Sequence, residues 1–130
     1  MRPNTFRRAF ISGRDSLTGG CCSAYSENEL KNWVEQALDV LRYLHEHHGM
    51  SHCDFKAENM LLFGLHRNQL RVCDLESARK WGEPRSVYVS PYICAPEVAK
   101  HVVAGGRAGL RVSAAEDIWA LVSVDDDCQI

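Results

Sequence analysis

No apolar run in this chain approaches the roughly 18 residues needed to cross a bilayer, which predicts a soluble protein with no membrane partner. Positive charge is not in excess either: 15 Lys and Arg stand against 17 Asp and Glu, for a formal net charge of −2. Grip on a phosphate backbone wants a basic face, so nucleic acid is excluded as the main partner. Cys21, Cys22, Cys53, Cys73, Cys94 and Cys128 show no paired metal spacing, and no secretory leader precedes them. Reduced thiols in a cytoplasmic protein are the simplest reading. No internal repeat is visible, and 130 residues allow one domain burying about two thirds of its unfolded surface.

The two ends are read as the least ordered parts. Residues 1–14 hold four arginines, two hydroxyl side chains and no acid. That balance suits a mitochondrial transit peptide; the preferred alternative is a disordered or irregular segment over 1–25. Asp125, Asp126 and Asp127 read as a solvated acidic tail over 125–130. Between them, Ser26 with Glu29 three residues later has the form of a capping box. Leu30, Trp33, Val34, Ala37, Leu38, Leu41 and Leu44 then recur at helical spacing, and Gly49 can close the helix in the left-handed conformation. The spacing predicts a helix over 27–47 whose stripe is a core face. Short strands are predicted at 60–63 and 70–73 around the polar turn His66-Arg67-Asn68. Pro96 should open a short helix that Gly105 and Gly106 break, and 105–113 reads as an insertion before a further helix.

Chemistry concentrates in residues 52–59, which read HCDFKAEN. Tyr43-Leu44-His45 and Gly49 precede this stretch. Asp74-Leu75-Glu76, Ala95-Pro96-Glu97 and Asp117-Ile118-Trp119-Ala120 come after it. In this order and spacing, the five segments resemble the protein kinase superfamily, serine/threonine type, over roughly residues 19–122. His52, Asp54, Lys56, Glu58 and Asn59 fall on the catalytic loop of that family. Asp74 stands at its metal-binding Asp-Phe-Gly, Ala95-Pro96-Glu97 closes its activation segment, and Asp117 heads its long central helix.

The resemblance implies an α+β fold of the kinase large (C-terminal) lobe, mainly helical with short β-hairpins around the catalytic loop. It also implies ATP and Mg²⁺ as cofactors and a protein substrate with a serine or threonine acceptor. Asp54 would accept or orient the acceptor's hydroxyl proton, and Lys56 would place a point charge on the transferred phosphoryl. Asn59 and Asp74 would supply oxygen ligands to magnesium. Leu61 would floor the adenine ring or serve as plain core, two compatible readings. His52 and Leu75 would join an apolar stack resting on Asp117. Ser90-Pro91 resembles the peptide-binding loop, with Ser90 close to Asp54 and Lys56. His45, His47, His48 and His52 beside Cys53 suggest zinc by type, but neighbours such as His47 and His48 cannot face one point from a helix.

The chain also departs from the family. No Gly-rich phosphate loop, strand Lys or helix Glu of a small lobe precedes residue 26, and little of the central helix lies beyond Asp117. The expectation is an incomplete kinase domain over 26–124 whose end looks abrupt, as from truncation or a changed reading frame. Cys53 replaces the Arg that in the family grips an activation-loop phosphate, so control through Ser86 or Tyr88 is not expected. Glu76 replaces a Gly, and Val122 stands where the central helix usually has Gly. Two functions compete: an ATP-dependent serine/threonine kinase domain inactive as it stands, and a non-catalytic pseudokinase fragment that binds a partner protein.

Overall fold

Helix α1, Glu27–Arg42, starts at a reciprocal cap. The Ser26 amide donates to Glu29 Oε2 at 2.8 Å, and the Glu29 amide donates to Ser26 Oγ at 3.3 Å. Two of the first turn's unpaired donors are thereby satisfied, as the sequence predicts. Trp33, Ala37 and Leu41 recur at intervals of four and form the buried stripe. Leu38, predicted to belong to it, lies on the flank and is 44% exposed. The computed structural model describes residues 26–64 and 68–126. The expected irregular 1–25 segment, most of the 66–68 turn and the last residues of the acidic tail lie outside them.

The α-helix ends at Arg42, earlier than predicted. Tyr43–His47 is a π-turn, with the Tyr43 ring against His47 and His48 at centroid distances of 5.2 and 4.9 Å. A π-turn widens the helix by one residue and rotates the residues beyond it. Here it brings His45 against the last helix of the fold, where it meets Asp117. Gly49, at φ +57°, then turns the chain out of the helix as expected.

Two small antiparallel sheets bracket the 52–59 loop. Strand β1, Met50–Ser51, pairs with β4, Arg79–Lys80. Strand β2, Met60–Phe63, pairs with β3, Gln69–Val72, in the register Met60↔Val72 to Phe63↔Gln69. Strand β3 sits one residue before its predicted position: the Cys73 amide still bonds the Asn59 carbonyl in register at 2.9 Å, but the Asn59 amide turns back to the Lys56 carbonyl at 2.9 Å and the ladder stops there. Met60 and Leu70 are buried on one face of the hairpin. Gln36 of α1 covers the outer edge: its Oε1 accepts from the Leu70 amide at 2.9 Å, and its Nε2 donates to the Asn68 carbonyl at 2.8 Å. A side-chain amide thus stands in for a missing neighbour strand.

Helix α2, Pro96–Val103, has Pro at its first turn, where no amide donor is needed, and ends before Gly105 and Gly106 at φ +61° and +82°. Residues 105–113, read as an insertion, are an ordered stretch. They run beside 82–85 through Gly82 N to Val112 O (3.0 Å), Val112 N to Glu83 O (2.9 Å) and Arg85 N to Leu110 O (3.0 Å). Helix α3 is Ala115–Asp126, so its backbone continues two residues into the stretch read as tail. Trp33, Ala37 and Leu41 meet Phe55, Ala57, Met60, Leu70, Ala120 and Leu121 in one core. The result is an α+β fold in which the 52–59 loop and α3 both contribute to one core.

Leu41 is 1% exposed and sits in that core. Leu41→Ala is expected to cost about 2–5 kcal/mol through lost burial and a residual cavity. Leu38→Ala should cost about 0.5 kcal/mol, as at an ordinary surface position. Urea unfolding of both variants checks this; equal midpoints would contradict the observed stripe.

Candidate functional site

The 52–59 loop has little ladder of its own, so its backbone donors need partners from elsewhere. Asp117, 1% exposed at the first turn of α3, supplies them. Its Oδ2 accepts from the His52 amide at 2.8 Å and its Oδ1 from the Cys53 amide at 2.9 Å, while His45 Nε2 lies 2.9 Å from Oδ2. Cys53 adopts a left-handed conformation at φ 64°, which a non-glycine residue keeps only when its surroundings hold it. The His52 ring stands edge-on to Phe55 with centroids 5.5 Å apart, and its Nε2 lies 3.1 Å from the Cys73 carbonyl. Donation from Nε2 leaves the buried Nδ1 as an acceptor with no partner among the described residues.

Beyond this anchor, Asp54, Lys56, Asn59 and Ser90 share one hydrogen-bond network. Lys56 Nζ donates to Asp54 Oδ2 at 2.6 Å and to Ser90 Oγ at 3.1 Å, and Ser90 Oγ donates to Asp54 Oδ1 at 2.6 Å. Asn59 Nδ2 donates to the Asp54 carbonyl at 2.9 Å and reaches Asp54 Oδ2 at 3.4 Å. Partial burial acts to raise the Asp54 carboxyl. The hydrogen bonds from Lys56 and Ser90, the Lys56 charge and the Asn59 amide outweigh it and hold Asp54 below its ordinary value. An ionised carboxylate pinned on both oxygens can orient an incoming hydroxyl with little reorganisation.

Asp74 is adjacent to this network through the backbone and joins none of its bonds. The Cys73-to-Asn59 hydrogen bond brings the two loops together, and Asp74 then turns outward at φ 64° with an exposed side chain. Its carboxylate has no hydrogen-bond partner among the described residues. Leu75, expected in an apolar stack with His52, is instead 56% exposed. The left-handed Asp74 and the 3₁₀ turn Leu75–Ser77 carry it away, and Phe55 packs on His52 in its place. Leu61 lies opposite Arg71 on the outer face of the β2–β3 hairpin, 43% exposed, so the plain-core reading does not hold.

Sequence reasoning missed an ion pair beneath the site. Arg85 Nε donates to Glu116 Oε2 at 2.6 Å, with side-chain exposures of 4% and 8%. Arg85 Nη2 also donates to the Cys53 carbonyl at 3.0 Å. Burial raises the Glu116 carboxyl above its ordinary value against the opposing pull of Arg85. The available signal was a loss and a gain: an Arg absent at position 53, and an Arg present in the segment that folds back over it.

A sequence model of the protein kinase domain matches residues 14–124. The chain is 42% identical over 80 residues to serine/threonine-protein kinase dkf-2 of Caenorhabditis briggsae, covering 58% of this chain and 7% of that protein. It is 31% identical over 97 residues to cyclin-dependent kinase G-1 of Oryza sativa subsp. indica, covering 75% of this chain and 13% of that protein. The chain therefore spans a small part of the length of these curated relatives.

Burial first, and then the Glu116 charge, push the Cys53 thiol up from 9.0 to about 12. A folded value above the unfolded one gives a contribution to stability that is full below about pH 9 and is lost as pH climbs toward 12. Thermal melts carried from neutral pH into that window should fall in midpoint, and Cys53→Ala should flatten the fall. Identical alkaline slopes for the two proteins would remove the thiol from this role.

Proposed function

The chain belongs to the protein kinase family, and from that premise we propose that it carries the large-lobe half of a serine/threonine phosphoryl-transfer site. The observation that supports this most is the network of Asp54, Lys56, Asn59 and Ser90, drawn from two separate segments. Asp54 orients the acceptor hydroxyl and takes its proton late, as suits a carboxylate held below its ordinary value. Lys56 holds Asp54 and Ser90 together and keeps a cation beside the reacting oxygen. Ser90 ties the peptide-binding segment to the catalytic carboxylate. Leu61 offers an exposed apolar surface on the hairpin for the adenine ring.

The donor chemistry fits magnesium. Asn59 spends its amide nitrogen on Asp54, which leaves its side-chain oxygen for a ligand, and Asp74 presents a carboxylate without a hydrogen-bond partner among the described residues. Both are hard oxygens. Magnesium bound there with ATP would neutralise charge on the phosphates. A lobe with a purely structural role has no need of these two donors, which favours the enzymatic reading over a non-catalytic binding module.

These 130 residues contain no Gly-rich loop or strand Lys of a small lobe. Loss of even one preorganised charge contact costs about 10²–10³ in rate. Peptide phosphorylation by this polypeptide alone is therefore expected to be undetectable, and radiolabel turnover abolished by Asp54→Asn would contradict that. Metal binding tests the site itself. Mn²⁺ added with a non-hydrolysable ATP analogue should broaden the resonances of Asn59 and Asp74, and Asp74→Ala should abolish the effect. Broadening elsewhere, or none, would remove the phosphoryl-transfer reading.

A further inference from the structure

Arg85 sits where five parts of the fold meet. Its amide donates to Leu110 O in the 105–113 strap, and its carbonyl lies 2.9 Å from Nε2 of the buried His101 on α2. Its guanidinium spans Glu116 of α3 and the Cys53 carbonyl of the catalytic loop, with a longer 3.5 Å contact from Nη1 to the Ser86 carbonyl. The Cys53 carbonyl shares a rigid peptide plane with the Asp54 nitrogen. Asp117 holds the other side of Cys53 by its amide. Cys53 is thus held at its amide by an acid from α3, and the plane leading into Asp54 is held at the Cys53 carbonyl by a cation from the 75–94 segment. Arg85 Nε lies 2.6 Å from Glu116 Oε2 with both side chains buried, so the guanidinium's counter-charge is the chain's own Glu116.

We propose that Arg85 is the positioning residue of the phosphoryl-transfer site, setting Asp54 through the Cys53 carbonyl from within the activation segment, with Glu116 as its built-in counter-ion. The inference rests on the reading of Asp54 given above and adds that the segment is set by the chain's own charges. The forked geometry is essential to it. Arginine can donate to Glu116 and to the Cys53 carbonyl together, whereas lysine offers a point charge on a flexible stem.

The test uses the 130-residue chain and reads the Ser90 hydroxyl proton by NMR, since its 2.6 Å bond to Asp54 should slow its exchange. Arg85→Lys keeps a cation for Glu116, and Arg85→Met with Glu116→Leu replaces the pair by apolar groups of similar volume, a change buried ion pairs often tolerate. Both are expected to retain the chemical shifts of the Trp33–Leu41 core, yet lose the slow Ser90 proton and show more than one set of Asp54–Lys56 resonances. Folded variants that keep the Ser90 signal and a single set of resonances would overturn the proposal. The unmodified chain supplies a measurement that needs no variant: Arg85 should show slowly exchanging Nε and Nη protons and a scalar coupling from Nη2 to the Cys53 carbonyl carbon. A freely rotating guanidinium would overturn it equally. Titration of the same sample with Mn²⁺ and the ATP analogue keeps the two readings apart. A coupled Arg85 without a metal response removes the reaction and leaves the positioning contact, while a metal response with a free Arg85 does the reverse.

Discussion

A single buried carboxylate organises the 52–59 loop. Asp117 is 1% exposed, and such a charge is stable inside a protein only when its oxygens are fully engaged. The amides of His52 and Cys53 and the His45 ring engage them. The arrangement works in both directions: the loop's amides find acceptors they could not find in a ladder, and the acid finds donors. The π-turn of Tyr43–His47, the left-handed Cys53 and the start of α3 are each shaped to this contact. Without it, the His52 and Cys53 amides would lose their acceptor among the described residues.

Charge is distributed around this centre in two layers. The inner layer is structural, with Asp117 on the loop amides and Arg85 between Glu116 and the Cys53 carbonyl. The outer layer faces solvent more openly and pairs Asp54 with Lys56, Ser90 and Asn59. Their titration behaviour differs accordingly. Burial dominates inside, raising Glu116 and the Cys53 thiol, whereas directed donors dominate outside and lower Asp54.

Much of this was legible in the residues, and the reason is local. The Ser26–Glu29 cap, the helix it opens, the left-handed Gly49, the β2–β3 hairpin and the Pro96 start all depend on neighbours within a few positions, where propensity and periodicity act directly. That Asp54, Lys56 and Asn59 lie together was readable for a similar reason, since they share one short loop. Ser90 was placed near them by the same motif order.

The failures share the opposite cause. Leu38 has the right spacing and lies outside the core, because how wide a stripe is buried depends on what packs against it. Leu75 was assigned to a stack, yet a left-handed Asp74 turns it to solvent. The order of the 105–113 strap has no pattern in its own letters and comes from backbone bonds to 82–85, 25 to 30 positions away. Arg85 and Glu116 are 31 positions apart, and no periodicity links an arginine in an irregular segment to an acid at a helix start. The order of residues was enough for the family and the local elements, because those are properties of short windows. Which cation stands beneath the catalytic loop, and which apolar residues are core, was settled by the folded arrangement. Burial and long-range pairing exist only once distant segments are brought together.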